Sequence, residues 1–186
     1  MTKGDIAHNM AWEDVFIGFG SNMGEPQHHV CEALSRLLSL PGVAPVRLSS
    51  LYRTEPVGFE AQDWFINGVV WIKTRLNPRY LMGALLEIEV QMGRVRKISD
   101  GPRVIDLDVL MFGNKVIELN NLRVPHPKLH ERRFVLVPLS EVAPNIQHPV
   151  IHKTFRELLS ALRDPKKVIR VENSGEFQWV GSGGQS

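Results

Sequence analysis

Two helical stripes, each opened by a proline and closed at a glycine, interrupt a series of β-type runs, and their order leaves the chain very few folds. Pro26 suits a first helical position, and Val30, Ala33, Leu34, Leu37 and Leu38 follow at spacings of three and four until Pro41-Gly42 ends the pattern. Asn77-Pro78 opens the second stripe with a cap residue and a preorganised proline, and Leu81, Leu85, Ile88 and Met92 carry it to Gly93. Before the first stripe, Val15 to Phe19 reads as a short buried strand. Between the stripes, Val46 to Tyr52 and Phe65 to Thr74 read as strands, with Glu55-Pro56-Val57-Gly58 as the loop that joins them. After the second stripe come a strand over Val104 to Phe112, a turn at Gly113-Asn114 and a short hairpin partner from Lys115 to Glu118. Phe134 to Val142 and Phe155 to Leu162 read as short helices. The order strand, helix, strand, strand, helix, strand is the split βαβ arrangement. The expected class is therefore α+β: a ferredoxin-like α/β sandwich, an antiparallel sheet with helices on its faces.

At 186 residues and 43% hydrophobic content, the chain has room for one domain with a sizeable core, expected over residues 14–172. Residues 1–13 show no periodicity, and the stretch 173–186 contains Gly181-Ser182-Gly183-Gly184, so both ends are expected to be flexible. A net charge of +2 gives little support to a nucleic-acid partner, which needs many phosphates neutralised. The single cysteine, Cys31, rules out an intrachain disulfide framework and a multi-cysteine zinc site. Asp5, His8, Asn9 and Glu13 break up any signal-peptide core, and no apolar run approaches the roughly 20 residues of a membrane helix. A cytoplasmic monomer without a membrane partner is the expectation.

The chemistry concentrates at Ile105-Asp106-Leu107-Asp108-Val109. Strand periodicity sends Ile105, Leu107 and Val109 to one face and both aspartates to the other. Paired carboxylates suit magnesium, which keeps several waters and completes its shell with substrate phosphates; two solvated strand residues are the alternative. Arg94, Arg96, Lys97 and Arg103 precede the pair, and His126, Lys128, His130, Arg132 and Arg133 follow it. Carboxylates for the metal and guanidinium forks for the remaining phosphate oxygens are what a metal-bound polyphosphate requires. On the strand from Phe65, Phe65 and Asn67 share a face, so an aromatic plane and an amide stand side by side where a flat heterocycle could stack. The alternative for these two is an ordinary core aromatic and an amide that satisfies backbone.

Other motifs fail. The glycines of Gly18-Phe19-Gly20-Ser21-Asn22-Met23-Gly24 are misplaced for a dinucleotide fingerprint, and the segment reads as a tight turn. No Gly-x-x-x-x-Gly-Lys-Ser/Thr loop occurs, so an ATP site here is not of the P-loop type. His126 and His130 are four apart, but Pro127 stands where a zincin would need glutamate.

Four blocks, FIGFGSNMGEP, SSLYRTEPVGFEAQDWFINGVV, GRVRK with GPRVIDLDVLMFG, and VPHPKLHERRFVLVPLSEVAP, resemble in order and spacing the hydroxymethyldihydropterin pyrophosphokinase family, over roughly residues 15 to 145. The resemblance makes 14–172 a pyrophosphokinase domain. It implies that Asp106 and Asp108 bind two magnesium ions bridging the phosphates of ATP, and that Arg96, Arg103, His126 and Arg132 contact the triphosphate. Glu89 and Arg94 match charged family positions near ATP, or else form a structural pair at the helix end. The pterin ring would lie between Phe65, where many members have tyrosine, and Phe134, its edge read by Asn67 and by the Thr54, Pro56 and Val57 segment. Between Lys97 and Gly101 the chain has only Ile98-Ser99-Asp100, where the family commonly carries a longer lid with an arginine and a tryptophan.

The implied reaction is attack by the hydroxyl of 6-hydroxymethyl-7,8-dihydropterin on the β-phosphorus of ATP, with AMP leaving. Arg96, Arg103, Asp106 and Asp108 would be the catalytic residues, acting by positioning and charge stabilisation. Two rivals use the same elements: another magnesium-dependent phosphoryl or nucleotidyl transferase, and an RNA-binding module on a ferredoxin-like sandwich.

Overall fold

A computed structural model describes residues 11–94, 101–119 and 121–172. The order is β1 (Glu13–Ser21), α1 (Pro26–Leu38), β2 (Val43–Leu48), β3 (Tyr52–Thr54), β4 (Phe65–Thr74), α2 (Pro78–Gln91), β5 (Asp106–Phe112), β6 (Ile117–Leu119), β7 (Leu122–Val124), α3 (Arg133–Val142), α4 (Phe155–Ala161) and β8 (Val168–Arg170). The main sheet runs β5-β1-β4-β3-β8, with β2 also on β4, and every pairing is antiparallel. This is the expected sandwich with an added edge strand.

Both helical stripes form as their ends suggest. Asn77 accepts a hydrogen bond from the Tyr80 amide ahead of Pro78, and α2 buries Leu81, Leu85 and Ile88. α1 buries Val30, Ala33, Leu34 and Leu37. These residues pack with Val15, Ile17, Val70, Ile72, Leu107 and Val109 into the larger core on one face of the sheet. α3 and α4 cover the other face, where Phe16, Val69, Leu110, Met111, Leu136, Leu139 and Phe155 form a second core. With both faces covered, the sheet lacks the open aromatic platform of an RNA-recognition module.

Three expectations need correction. The single strand over Val46 to Tyr52 is two strands: the Ser49 amide still donates to the Val69 carbonyl, but the Val69 amide donates to the Ser49 hydroxyl at 2.9 Å and the Glu141 carboxylate takes the Ser50 amide, so side chains interrupt the ladder there. Lys115 to Glu118 is no partner of β5; Ile117–Leu119 pairs with β7 in a separate two-stranded sheet. The strand β8, which pairs with β3, has no counterpart among the expected elements. β1 begins at Glu13, inside the stretch expected to be flexible, while residues 1–10 and 173–186 lie outside the described residues. No helix among the described residues is long and apolar enough to cross a membrane.

Candidate active site

The site grows from strand alternation across three neighbouring strands. On β5, Leu107 and Val109 join the larger core, which turns Asp106 and Asp108 to the α3 side. Their partners on β1 are Gly20 and Gly18, which in turn pair with Asn67 and Val69 of β4. A bare strip of backbone therefore separates the acidic pair from Asn67. A Cβ on Gly20 would lie 2.3 Å from Asn67 Oδ1, so only glycine leaves the Asn67 amide where it stands. The tight turn expected at these glycines is thus wrong: Gly18 and Gly20 belong to β1, and the chain reverses beyond Ser21, where Gly24 has φ 58°.

A cavity of about 330 Å³ lies along this strip. One end is ionic, with Arg94, Arg103, Asp106, Asp108, His126 and Arg132; the other presents Thr54, Val57, Phe65, Asn67 and Phe134. Asp106 is held by Arg94 at 2.6 Å and by Arg103 at 2.5 Å. Arg94 also pairs with Glu89, which is 2% exposed and accepts the Leu107 amide at 2.7 Å. Burial raises the Glu89 carboxyl above its ordinary range even though Leu107 and Arg94 favour its charge. No described residue donates a hydrogen bond to Asp108, and burial, followed by the charge of Asp106, pushes its carboxyl up to about 7. The Arg132 and Arg94 charges favour its ionised form but do not outweigh burial. Asp106 and Asp108 offer oxygen-only donors that open on the cavity, a donor set that fits magnesium with phosphate and water as its other ligands.

His126 is anchored through its own amide, which donates to the Leu110 carbonyl at 2.9 Å, and its Nδ1 accepts from the Lys128 amide at 3.1 Å. Burial, and then the Arg132 charge, lower its pKa to about 4. The ring is neutral at pH 7, and with Nδ1 accepting, the proton belongs on Nε2, a donor suited to phosphate. His130 does not line this cavity; its ring meets His148 edge-on.

At the other end, Asn67 Nδ2 donates to Thr54 Oγ1 at 2.6 Å, which leaves the threonine proton and Asn67 Oδ1 for a ring edge. The two ends are linked by cation–π contacts: the Arg103 guanidinium lies 5.2 Å from the Phe65 ring centre, and that of Arg132 5.5 Å from Phe134. The structure thus brings together eleven of the residues singled out in the sequence. Two are not on the wall. Glu89 lies beneath it as support for Arg94, and Pro56 is buried while Glu55 and Val57 on either side face the cavity. Arg96 and the short Ile98-Ser99-Asp100 connection lie outside the described residues. Sequence reasoning missed Gly18, Gly20, Glu55 and Leu110; two glycines at strand spacing, facing an Asp-x-Asp strand, were the available signal for the first two.

This arrangement defines a transferase-type site, in which a metal-bound polyphosphate can lie beside a flat polar ring. The family model for 7,8-dihydro-6-hydroxymethylpterin-pyrophosphokinase matches residues 16–144, and the chain belongs to that family. It is 42% identical over 168 residues to the 2-amino-4-hydroxy-6-hydroxymethyldihydropteridine pyrophosphokinase of Bacillus subtilis, covering 90% of this chain and 96% of that one. The protein of the same name from Methylorubrum extorquens is 43% identical over 157 residues, 84% of this chain and 98% of its own. The folic acid synthesis protein fol1 of Schizosaccharomyces pombe is 40% identical over 159 residues, which are 86% of this chain but 21% of that much longer one. In fold, the chain resembles a Plasmodium falciparum HPPK-DHPS solved with pterin and p-hydroxybenzoate, with a TM-score of 0.64 at 16% identity, covering 81% of this chain and 42% of that chain.

Proposed function

We propose that the protein transfers the diphosphate of ATP to the hydroxymethyl group of 6-hydroxymethyl-7,8-dihydropterin, giving AMP and the pterin diphosphate, a step of folate biosynthesis. The observation that carries this reading is the single cavity that joins the Asp106/Asp108 and arginine cluster to the slot of Thr54, Phe65, Asn67 and Phe134. An acceptor that is not a flat heterocycle would have no use for that second end.

Asp106 and Asp108 would hold two magnesium ions, which supply charge neutralisation on the phosphates and a template for in-line transfer. Phe65 and Phe134 would stack the pterin, while Asn67 and Thr54 fix its edge, so that the hydroxymethyl oxygen points along the bare Gly18–Gly20 strip to the phosphates. That oxygen bonds to the β-phosphorus, the bond from the β-phosphorus to the α–β bridging oxygen breaks, AMP departs with the electron pair, and the hydroxyl proton leaves to solvent. Arg103, Arg132 and the Nε2 proton of His126 would stabilise charge on the phosphate oxygens, with Arg94 holding Asp106 in place. Arg96 we place with them by family position. No nucleophilic side chain takes part. A monomer working in the cytoplasm is part of this reading, in keeping with the single cysteine, Cys31.

The test is isotopic. ATP labelled separately at its β- and γ-phosphorus should deliver both labels to the pterin in equal amounts; delivery of the γ label alone would make this an ordinary kinase and refute the proposal.

A further inference from the structure

The connection between α4 and β8 lies beyond the residues matched to the family and contributes no residue to the cavity wall. It nevertheless grips two of the segments that do. Asp164 Oδ2 accepts the backbone amide of Arg133 at 2.9 Å, and the Asp164 carbonyl accepts Arg133 Nε at 2.9 Å. Arg133 is the first residue of α3, and its neighbours on either side, Arg132 and Phe134, both line the cavity. An amide at a helix start has no partner within the helix, so an outside carboxylate both satisfies it and fixes where the helix begins. The other oxygen, Oδ1, accepts the Lys166 amide at 3.0 Å, which ties the carboxylate to the stretch that follows.

That stretch holds the opposite partner. The Lys167 amide donates to Glu55 Oε2 at 2.8 Å, the Glu55 amide donates to the Lys167 carbonyl at 3.2 Å, and Lys166 pairs with Glu60. Glu55 and Val57 line the cavity, and Thr54, opposite Val168 in the β3–β8 pairing, is the hydrogen-bond partner of Asn67. Four residues of chain therefore bridge the start of α3, which carries Phe134, and the loop that carries Glu55 and Val57. The exposed Lys166–Glu60 pair adds little by itself. The bridge rests on Asp164 and the Lys167 backbone.

We propose that Asp164 is a positioning residue for ring binding: by holding the start of α3 against the 55–57 loop, it sets the spacing of the slot that accepts the pterin. This rests on the proposed function. Of the described groups assigned to the phosphates, Asp106, Asp108, Arg94, Arg103 and His126 make no hydrogen bond to the bridge and only Arg132 adjoins it. The ring slot is gripped on both sides, so loss of the bridge should weaken pterin binding more than ATP binding.

The experiment compares wild type, Asp164→Ala and Asp164→Asn, each confirmed folded by thermal melting. It measures KM for both substrates from AMP release, and the Kd of 6-hydroxymethylpterin by fluorescence titration. Asp164→Ala should raise the pterin KM and Kd about tenfold while moving the ATP KM less than about threefold. Asp164→Asn, which keeps one acceptor oxygen, should restore most of the pterin affinity. A lower melting temperature with both KM values and the pterin Kd unchanged, or an equal rise for both substrates, overturns the proposal. If the wild type binds pterin but releases no AMP, the reaction assigned above fails, while the Kd comparison still decides the role of Asp164. A wild type that binds no pterin overturns both.

Discussion

Replacing Asp108 with asparagine should stabilise the metal-free protein while abolishing its turnover. The Asp108 carboxyl is raised from 3.8 to about 7, first by burial and then by the charge of Asp106. A folded-state pKa above the unfolded one means that the native state resists ionising this group. The destabilisation that this one group contributes is absent below pH about 4 and grows as pH rises towards 7. A displacement of that size corresponds to roughly 4 kcal/mol at most, and a neutral amide of the same shape should recover a good part of it. For a chain of 186 residues, that is a rise in Tm of about 5–10 °C at pH 8 without metal. The gain should fall by more than half at pH 5, where the wild-type carboxyl is already protonated. Adding magnesium with a non-hydrolysable ATP analogue should raise the Tm of wild type and raise that of Asp108→Asn much less, because Asp106 remains but a neutral amide oxygen is a far weaker magnesium ligand than a carboxylate. Calorimetry at both pH values, with and without these ligands, reads all of this. An asparagine variant less stable than wild type at pH 8 without metal, or one stabilised by magnesium and nucleotide as strongly as wild type, would refute the reasoning.

Gly20→Ala should raise the pterin KM about tenfold with little change for ATP, since its Cβ would lie 2.3 Å from Asn67 Oδ1 and force the amide out of place; steady-state kinetics in each substrate checks this. Phe134→Ala should weaken pterin binding by roughly 1–3 kcal/mol and nucleotide binding far less, and equal weakening of both in titrations would indicate general damage instead. Tyr52→Phe removes the hydroxyl that donates to Glu141 at 2.8 Å, so denaturant unfolding should show a loss of about 1–2 kcal/mol with both KM values kept.

The parts of this molecule that could be read from the sequence are those in which local chemistry and tertiary demand agree. Asn77-Pro78 and the spacing of Leu81, Leu85 and Ile88 define α2 by themselves, and Phe65–Thr74 carries enough aromatic and β-branched residues to give its own bounds. The Asp106/Asp108 face and the shared face of Phe65 and Asn67 follow from a period of two. What escaped depends on partners distant in the chain. Ser49 breaks a strand because its hydroxyl reaches the Val69 amide, and Val168–Arg170 is a strand only because β3 offers an edge. Glu89 matched a charged family position, yet it lies under the wall because the Leu107 amide and Arg94 supply enough bonds to bury it there. Gly18 and Gly20 resembled a turn: their strand spacing was visible, but not that a neighbouring strand brings Asn67 against Gly20.

The central claim is that one cavity brings ATP and a pterin together for transfer of a diphosphate. Incubation with ATP, magnesium and 6-hydroxymethyl-7,8-dihydropterin, followed by chromatographic analysis of the nucleotides, tests it most directly. The account predicts AMP in amounts equal to the pterin diphosphate formed, and none when the pterin is withheld; ADP as the nucleotide product, or no pterin-dependent turnover, would contradict it.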